Sequence, residues 1–398
     1  MTEETNRKRA SKKQDTAAAN KDAQNQRWEK QGHQQKTFGQ GQKMTRKQVM
    51  NRNYHNSVYT KYLRSNLREN SIDPPPSWNL LAEMTKLNFD RLPFLKPVFM
   101  KNIKECGEVS QYNSKWEKAT GRKPLSIEPF EGHTFEELSL FEDDKMIELV
   151  KEDAADIFMT DIVASTLMCI SKSNYSFDLE IKKFDNKIFI DKRQSEDEEE
   201  KLTNLLNFQT VCENSVDFQP YDDASVNGIK QLMQEAQKLN NSWTHFCQDK
   251  SKQIQFDEEN PFVEDENQVA SRVGYHYKIW KLQEKNVELG IPEKKVCIRC
   301  EIHTHTGKLK DNGEKQYMNV YALNEHNLDR SNWRQTIEKS IITCFNRELT
   351  DNSFKISRWI VQSLLSDVDM IKFAFISRKN MADPTKKHCL LGTHTVKT

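Results

Sequence analysis

Within one short stretch the chain changes its hydrophobic period. In "TDIVASTLMCISKSNYSFDLEIKK" (160–183) Ile162, Leu167 and Ile170 form one helical stripe, whereas Phe177, Leu179 and Ile181 alternate with Asp178, Glu180 and Lys182. The first pattern buries the side of a helix and the second one face of a strand, so helix and sheet must share a core. Asp185-Asn186 then turns the chain into "KIFIDKR", and these residue types accept the positive φ of a tight hairpin turn. With the strands and helices interleaved further along the chain, the fold class predicted is α+β.

A chain of 398 residues, 36% hydrophobic and 9% aromatic, holds enough apolar material for a sizeable core. A mean hydropathy of -0.86 with 30% charged residues is too polar for one compact body throughout. Charge locates the excess. Residues 1–70 carry 16 Lys and Arg against 6 Asp and Glu, which leaves the remainder of a chain of net charge +1 about nine negative. This segment reads as a basic, largely extended arm for an RNA or an acidic protein surface, with a merely solvated tail as the alternative. The folded domain is expected over 71–398.

In "SIDPPPSWNLLAEM" three prolines impose an extended approach to Trp78, and Ser77 is placed to cap a short helix from Asn79. Residues 133–170 read as helical, with Thr134 and Glu137 as a capping box, while 86–130 carry weak signals. After the hairpin comes an acidic, loop-like stretch, "QSEDEEEKLTNLLNFQTVCENSVDFQPYDDAS", far longer than an ordinary connection. A helix, "NGIKQLMQEAQKLNNSWTHFC", follows. Strands are expected at Tyr275–Leu282, Lys295–His305, Gln316–Leu323 and Met370–Ser377, interleaved with helices "NWRQTIEKSIITCF" and "NSFKISRWIVQSLLS".

Eight cysteines scattered through a chain this long point to reduced thiols and a reducing, intracellular setting. No run of 18 apolar residues exists, so no membrane partner is expected. Cys297, Cys300, His303 and His305 in "CIRCEIHTH" are all zinc-ligand types. On a strand, however, Cys297, Arg299, Glu301, His303 and His305 share one face and Cys300 lies on the other, so the cysteines diverge and no metal is assigned. The polar face is either solvent-exposed or lines a cleft. Tyr175, Trp243, Tyr277, Trp280 and Trp359 stand beside polar or basic residues and are candidates for base stacking, although core roles are commoner for such residues. Gln237, Asn240, Asn241 and Thr244 recur at spacings of three and four and give one helix face of neutral hydrogen-bonding groups. The sequence contains no Gly-rich phosphate loop, nucleophile elbow or kinase signature.

"TDIVASTLMCISKSNYSFDLEIKKFDNKIFIDKR", "NPFVEDENQVASRVGYHYKIWKL", "VYALNEHN" with "NWRQ", "ELTDNSFKISRW" and "FAFISRKNM…HCLLGT" together resemble, in order, the family of the D subunit of the eukaryotic translation initiation factor three complex. That resemblance implies a cap-binding domain related in fold to the metal-dependent decapping nucleases. It also implies capped mRNA, the small ribosomal subunit and the other subunits of the complex, notably the E subunit, as partners, and a cytoplasmic location. The family's cap-contacting positions fall on Asp161, Asn174 and Tyr175 and on Gln237, Asn240 and Asn241. Departures stand at Asn174, where the family is apolar, and at Gln237 and Asn241, where it has Thr and His.

By the same resemblance a gate loop that occludes the cleft corresponds to about residues 196–217. Ser195, Glu196, Asp197, Glu198, Leu206, Thr210 and Glu213 are its assigned residues, and the added run "EDEEE" would mimic RNA phosphates. In this reading a cationic methylguanine stacks on Tyr175 with Asp161 at its edge, and Lys172 with Lys182 or Lys192 meets the triphosphate. The decapping relatives use Glu-x-Asp and Glu-x-Lys on adjacent strands. Glu301-Ile302-His303 and Glu348-Leu349-Thr350 supply neither the Asp nor the Lys, so no catalysis and no cofactor are expected. A scaffold role without cap contact is the alternative.

Overall fold

Two mixed sheets, each covered by helices, carry the apolar alternation of the sequence. The computed structural model describes residues 74–83, 95–127, 139–173, 177–193, 226–262, 273–284, 293–325, 332–385 and 387–398. The chain divides into two units, 1–60 and 61–398, and every described residue belongs to the second.

The first sheet runs, in spatial order, β1 (Leu95–Cys106), β8 (Gly274–Glu284), β9 (Lys294–Ile302), β4 (Ile157–Thr160), β6 (Lys187–Lys192) and β5 (Leu179–Phe184). At its centre β4 is parallel to both β6 and β9. The second sheet runs β3 (Leu125–Ile127), β13 (His388–Lys397), β12 (Met370–Arg378), β11 (Lys315–Glu325), β10 (Thr304–Leu309), β2 (Glu108–Tyr112) and β7 (Gln248–Gln255). The helices are α1 (Asp144–Lys151), α2 (Asp161–Met168), α3 (Ile229–Phe246), α4 (Trp333–Lys339), α5 (Ile341–Asp351) and α6 (Ser353–Ser366).

Each sheet face has its own buried cluster. On the first sheet Met146 and Leu149 of α1 pack with Phe158, Tyr275, Tyr277 and Cys297. Its opposite face joins Val163 and Ala164 of α2 and Leu365 of α6 to Met159, Val296, Ile298 and Cys300. On the second sheet Leu239 and Trp243 of α3 cover Val320, Ala322, Ala374 and Leu390. Trp333, Phe345, Ile356 and Trp359 cover Tyr321, Leu323, Phe373 and Phe375 on the other side. Helix α6 therefore contributes to a cluster on each sheet. Each large apolar side chain so buried stabilises the fold by about 1.5–3 kcal/mol.

The hairpin stands as the sequence predicts: Leu179 pairs with Lys192 and Phe184 with Lys187, and Asp185 takes φ 51° in the turn. Because β5 is an edge strand, Ile181 is 65% exposed rather than buried with Leu179. The cysteines of β9 diverge, with Cys297 in the α1 cluster and Cys300 in the α2–α6 cluster.

Elsewhere the structure corrects the reading. The helical run expected over 133–170 contains strand β4, whose Phe158, Met159 and Thr160 are all buried, so it shows no alternation. The Thr134–Glu137 capping box lies outside the described residues. Helix α1 is capped instead by Asp143, which accepts from the backbone N–H groups of Lys145 and Met146. The strand expected over Lys295–His305 is two strands in different sheets, parted at His303. "NWRQTIEKSIITCF" is two helices, because Ser340 takes an extended conformation and caps α5 through Thr343 N. Asn79–Glu83 is not helical. Trp243, Tyr277 and Trp359 are core residues, 0%, 0% and 4% exposed, and Trp280 packs edge-on against Phe99. Seven described cysteines are free thiols, all buried. No described helix is long and apolar enough to cross a membrane.

Candidate functional site

Strand β4 ends at Thr160 and α2 begins at Asp161 with no connecting residue. Thr160 Oγ1 caps the helix by accepting from Val163 N at 3.4 Å. The parallel register sets Met159 opposite Ile190 and Thr160 opposite Arg299. One step further along, Asp161 meets the backbone of Glu301 near the end of β9, and Lys192 at the end of β6 feels the charge of Glu301. Three charged side chains thus collect at the carboxyl edge of three parallel strands, the place where open α/β sheets bind ligands.

Asp161 is 4% exposed, and its Oδ2 accepts from Glu301 N at 3.1 Å. Burial first, and then repulsion from Glu301, pushes its carboxyl from the ordinary 3.8 up to about 7. Burial acts to raise Glu301 also, but His303, by hydrogen bond and charge, together with the charges of Arg299 and Lys192 holds Glu301 below its ordinary value. Burial pushes the Lys192 ammonium down to about 7, against the pull of Glu301 and with the repulsion of Arg358 and Arg299. Glu301 thus interacts with both Asp161 and Lys192.

An acid whose folded pKa is raised binds its proton more tightly folded than unfolded, so stability falls as pH rises between the two values. Asp161→Asn is therefore expected to flatten the loss of stability between about pH 4 and pH 7, measured as urea midpoints across that range. An unchanged pH profile would contradict the assigned environment.

The second wall is the edge of β11. Strand β10 pairs with β11 at Met318 and Tyr317 and again at Lys315, so β11 beyond Met318 meets side chains on that edge. His303 Nδ1 lies 2.9 Å from Val320 O and 3.1 Å from Val320 N, and Ala322 N donates to Asn240 Oδ1 of α3 at 3.0 Å. Asn319 bridges the two sheets: its Oδ1 accepts from His303 N at 3.1 Å and its Nδ2 donates to Glu301 O at 3.4 Å. From Asn319, which bonds Glu301, to Ala322, which bonds Asn240, the strand rises roughly 10 Å.

A divalent metal does not fit this donor set. Asp161 is committed to the Glu301 amide, Glu301 faces His303 at 3.8 Å, and β11 presents Asn319 and Tyr321 where further anionic ligands would be needed. Among the described residues no three His, Cys, Asp or Glu side chains are grouped to hold an ion. Glu348, paired in the sequence reading with Glu301 on adjacent strands, lies instead on helix α5, 6% exposed.

The family model described as eukaryotic translation initiation factor 3 subunit 7 (eIF-3) matches residues 1–398. The chain belongs to this initiation factor family. The D-1 subunit of eukaryotic translation initiation factor 3 from Drosophila melanogaster is 32% identical over 347 residues, 83% of this chain and 57% of that one. The D subunit of the same factor from Arabidopsis thaliana is 29% identical over 337 residues, 83% of this chain and 53% of that one. The chain thus spans about half the length of these initiation factor subunits. Among solved structures it is similar to Scheffersomyces stipitis Rai1 in complex with (3'-NADP)+ and calcium ion, with a TM-score of 0.38 and 14% identity over 74% of this chain and 67% of that one. Candida albicans Rai1 in complex with pU5-Mn2+ gives a TM-score of 0.38 and 11% identity over 76% of each chain.

Of the positions that the family resemblance assigns, Asp161 lies at the charged edge and Asn240 on the facing β11 wall. Gln237 and Asn241 flank Asn240 on α3 and are half-buried. Lys172 is exposed in a short 3-10 turn after α2, on the order of 15 Å along the helix axis from Asp161, so the structure does not bring these two together. Lys182 pairs with Glu180 at 3.1 Å and lies over Phe141 on the outer hairpin. Asn174 and Tyr175 lie outside the described residues, as do Ser195, Glu196, Asp197, Glu198, Leu206, Thr210 and Glu213. Arg299 is not on an exposed polar face: it is 4% exposed and bonds Asp143 at 2.8 Å. The sequence reading missed Asn319, a neutral residue inside a strand with no motif around it.

Proposed function

We propose that this chain acts in translation initiation as a non-catalytic subunit that holds the capped 5′ end of mRNA in the cleft between its two sheets. The observation that supports the reading is a charged cluster around Glu301 at the carboxyl edge of the first sheet, with Asp161 bonded to the Glu301 amide, while Asn240 of α3 binds the backbone of β11 at Ala322. A carboxylate suits the cationic methylguanine, amides suit base edges, and lysine suits phosphate. Tyr175, which follows α2 closely in sequence, supplies the stacking ring. The acidic segment around 196–217 serves as a gate, and the small ribosomal subunit and the other subunits of the complex, the E subunit among them, are the partners in the cytoplasm.

The test compares retention of capped RNA and of the same RNA with an uncapped 5′-triphosphate on the purified full chain. Tighter binding of the capped form is expected, and Tyr175→Ala should weaken it about tenfold or more while assembly with partner subunits persists. Equal retention of both RNAs overturns cap specificity and leaves a scaffold role.

A further inference from the structure

On one side the second sheet ends in β10, β2 and β7, and there its ladder is interrupted. Strand β7 pairs antiparallel with β2, but Ser110 faces Gln253 while the next residue, Gln111, faces Asp249. Lys250, Ser251 and Lys252 are therefore extra residues with no counterpart on β2, and they form a bulge at the edge of the sheet. The bulge is held in one shape from both ends. Asp249 Oδ1 accepts from Ser251 N at 3.2 Å and from Ser251 Oγ at 2.7 Å. Lys252 O lies 3.2 Å from Nε2 of His305, a residue of β10 that is 6% exposed. Nδ1 of the same ring accepts from Gly307 N at 3.1 Å, so Nε2 carries the proton and donates to Lys252 O.

More cations stand around the bulge. Because β10 runs parallel to β2, with His305 opposite Gln111, Lys308 lies level with Ser114, where a 3-10 turn (Ser114–Lys118) begins. In that turn Lys115 and Lys118, three residues apart, stand one above the other, and the charge of Lys115 acts on Asp249. Lys115, Lys118, Lys250, Lys252 and Lys308 are all exposed. Among the described residues Lys118, Lys250 and Lys308 form no ion pair, whereas Lys252 meets Asp249 at 3.8 Å. Two carboxylates stand among these lysines and both are engaged, Asp249 by Ser251 and Lys252, Glu117 by Lys372 and Thr393.

Residues 71–398 are about nine negative, so a basic edge runs against the charge of the folded part as a whole. A bulge alone already spoils an edge for pairing with another strand, and the lysines of the turn and of β10 lie off that edge. Edge protection therefore explains neither the fixed shape nor the further cations, whereas a row of phosphates would meet all of them. Trp116, the aromatic residue of the turn, is 6% exposed and offers no ring to a base.

We propose that this edge, Lys115 and Lys118 of the turn, Lys250 and Lys252 of the bulge and Lys308 of β10, binds the sugar-phosphate backbone of RNA irrespective of sequence and of the 5′ end. In a chain of an initiation factor family, RNA is the polyanion that such an edge meets. The edge uses none of the residues assigned to the cleft, so it acts whether or not a cap is held there.

The experiment measures the affinity of the full chain for a short labelled RNA with a 5′-hydroxyl at several salt concentrations. Lys250→Gln with Lys308→Gln is expected to bind about five- to tenfold more weakly at low salt and to lower the slope of log K against log salt by about 1.4, the share of two phosphate contacts. Lys151→Gln with Lys339→Gln removes the same charge from exposed positions on α1 and α4 and should bind like the wild type. The basic segment 1–70 is the same in all three proteins, and their melting temperatures should agree because the changed side chains are exposed. Unchanged affinity and slope in the first variant overturn the proposal, and if that variant also fails to assemble with partner subunits, the edge serves an acidic protein surface instead. Equal losses in both variants mean that net charge alone is felt, and a loss seen only with a lower melting temperature assigns the lysines to the fold. Either result overturns the proposal as well. Cap specificity is read separately, from capped against triphosphate RNA, so either reading can fail while the other holds.

Discussion

Glu235→Ala is expected to destabilise the domain by about 3–5 kcal/mol, with a fall in melting temperature on the order of 10 °C. Glu235 on α3 is 6% exposed and takes two hydrogen bonds from Arg378, Nε to Oε1 at 2.8 Å and Nη2 to Oε2 at 2.5 Å. His388 Nε2 lies 2.8 Å from the same Oε1. Arg378 is 1% exposed, and its remaining donors reach Asn227 Oδ1, Met381 O and Val226 O. Truncation at Glu235 leaves this guanidinium buried without its counter-charge, and arginine cannot neutralise itself. Burial acts to raise the Glu235 carboxyl, but Arg378 and then His388 hold it below its ordinary value. A depressed acid contributes stability that is present above the unfolded value and lost as pH falls through the folded one. Glu235→Gln should accordingly flatten the acid limb of the stability curve. Denaturant unfolding at neutral and acid pH measures both effects, and a change below about 1 kcal/mol for Glu235→Ala would refute the assigned role.

Asp143→Ala is the second large loss, again about 3–5 kcal/mol. Asp143 is fully buried and accepts from Lys145 N, Met146 N, Tyr277 Oη and Arg299 Nη1. It caps α1 and neutralises the one arginine of β9, two residues before Glu301. The double change Asp143→Leu with Arg299→Met should destabilise less than Asp143→Ala alone, because it removes both charges and leaves apolar groups beside Phe262 and Tyr275. Thermal unfolding of the three variants decides this, and strict additivity would count against a paired role.

The hairpin and the divergence of Cys297 from Cys300 were legible in the sequence because both follow from the two-residue period of a strand and from local turn chemistry. Strand β4 was not. A strand of four residues, the last three buried on either face and all set inside a run of helical periodicity, gives no alternation to read. The break at His303 was hidden because apolar and polar residues keep alternating across it, while the chain passes from one sheet to the other. Asp161 and Asn240 were reached through family resemblance, and Glu301 as one of a polar strand face. The burial of Lys355 and Arg358 has no signal in the sequence, since Lys and Arg are rarely buried. Only the docking of α6 between the two sheets turns them inward.

The direct passage from β4 into α2 has a bearing on which changes this protein tolerates. Thr160 serves both as the last residue of the strand and as the cap of the helix, and Asp161 follows at once. One residue inserted or deleted there would turn the helix by about 100° relative to the strand and carry the carboxylate away from the Glu301 amide. The site can therefore absorb substitution around this junction far more readily than a change in length, and the spacing from Ile157 to Thr166 is the quantity that drift must leave alone.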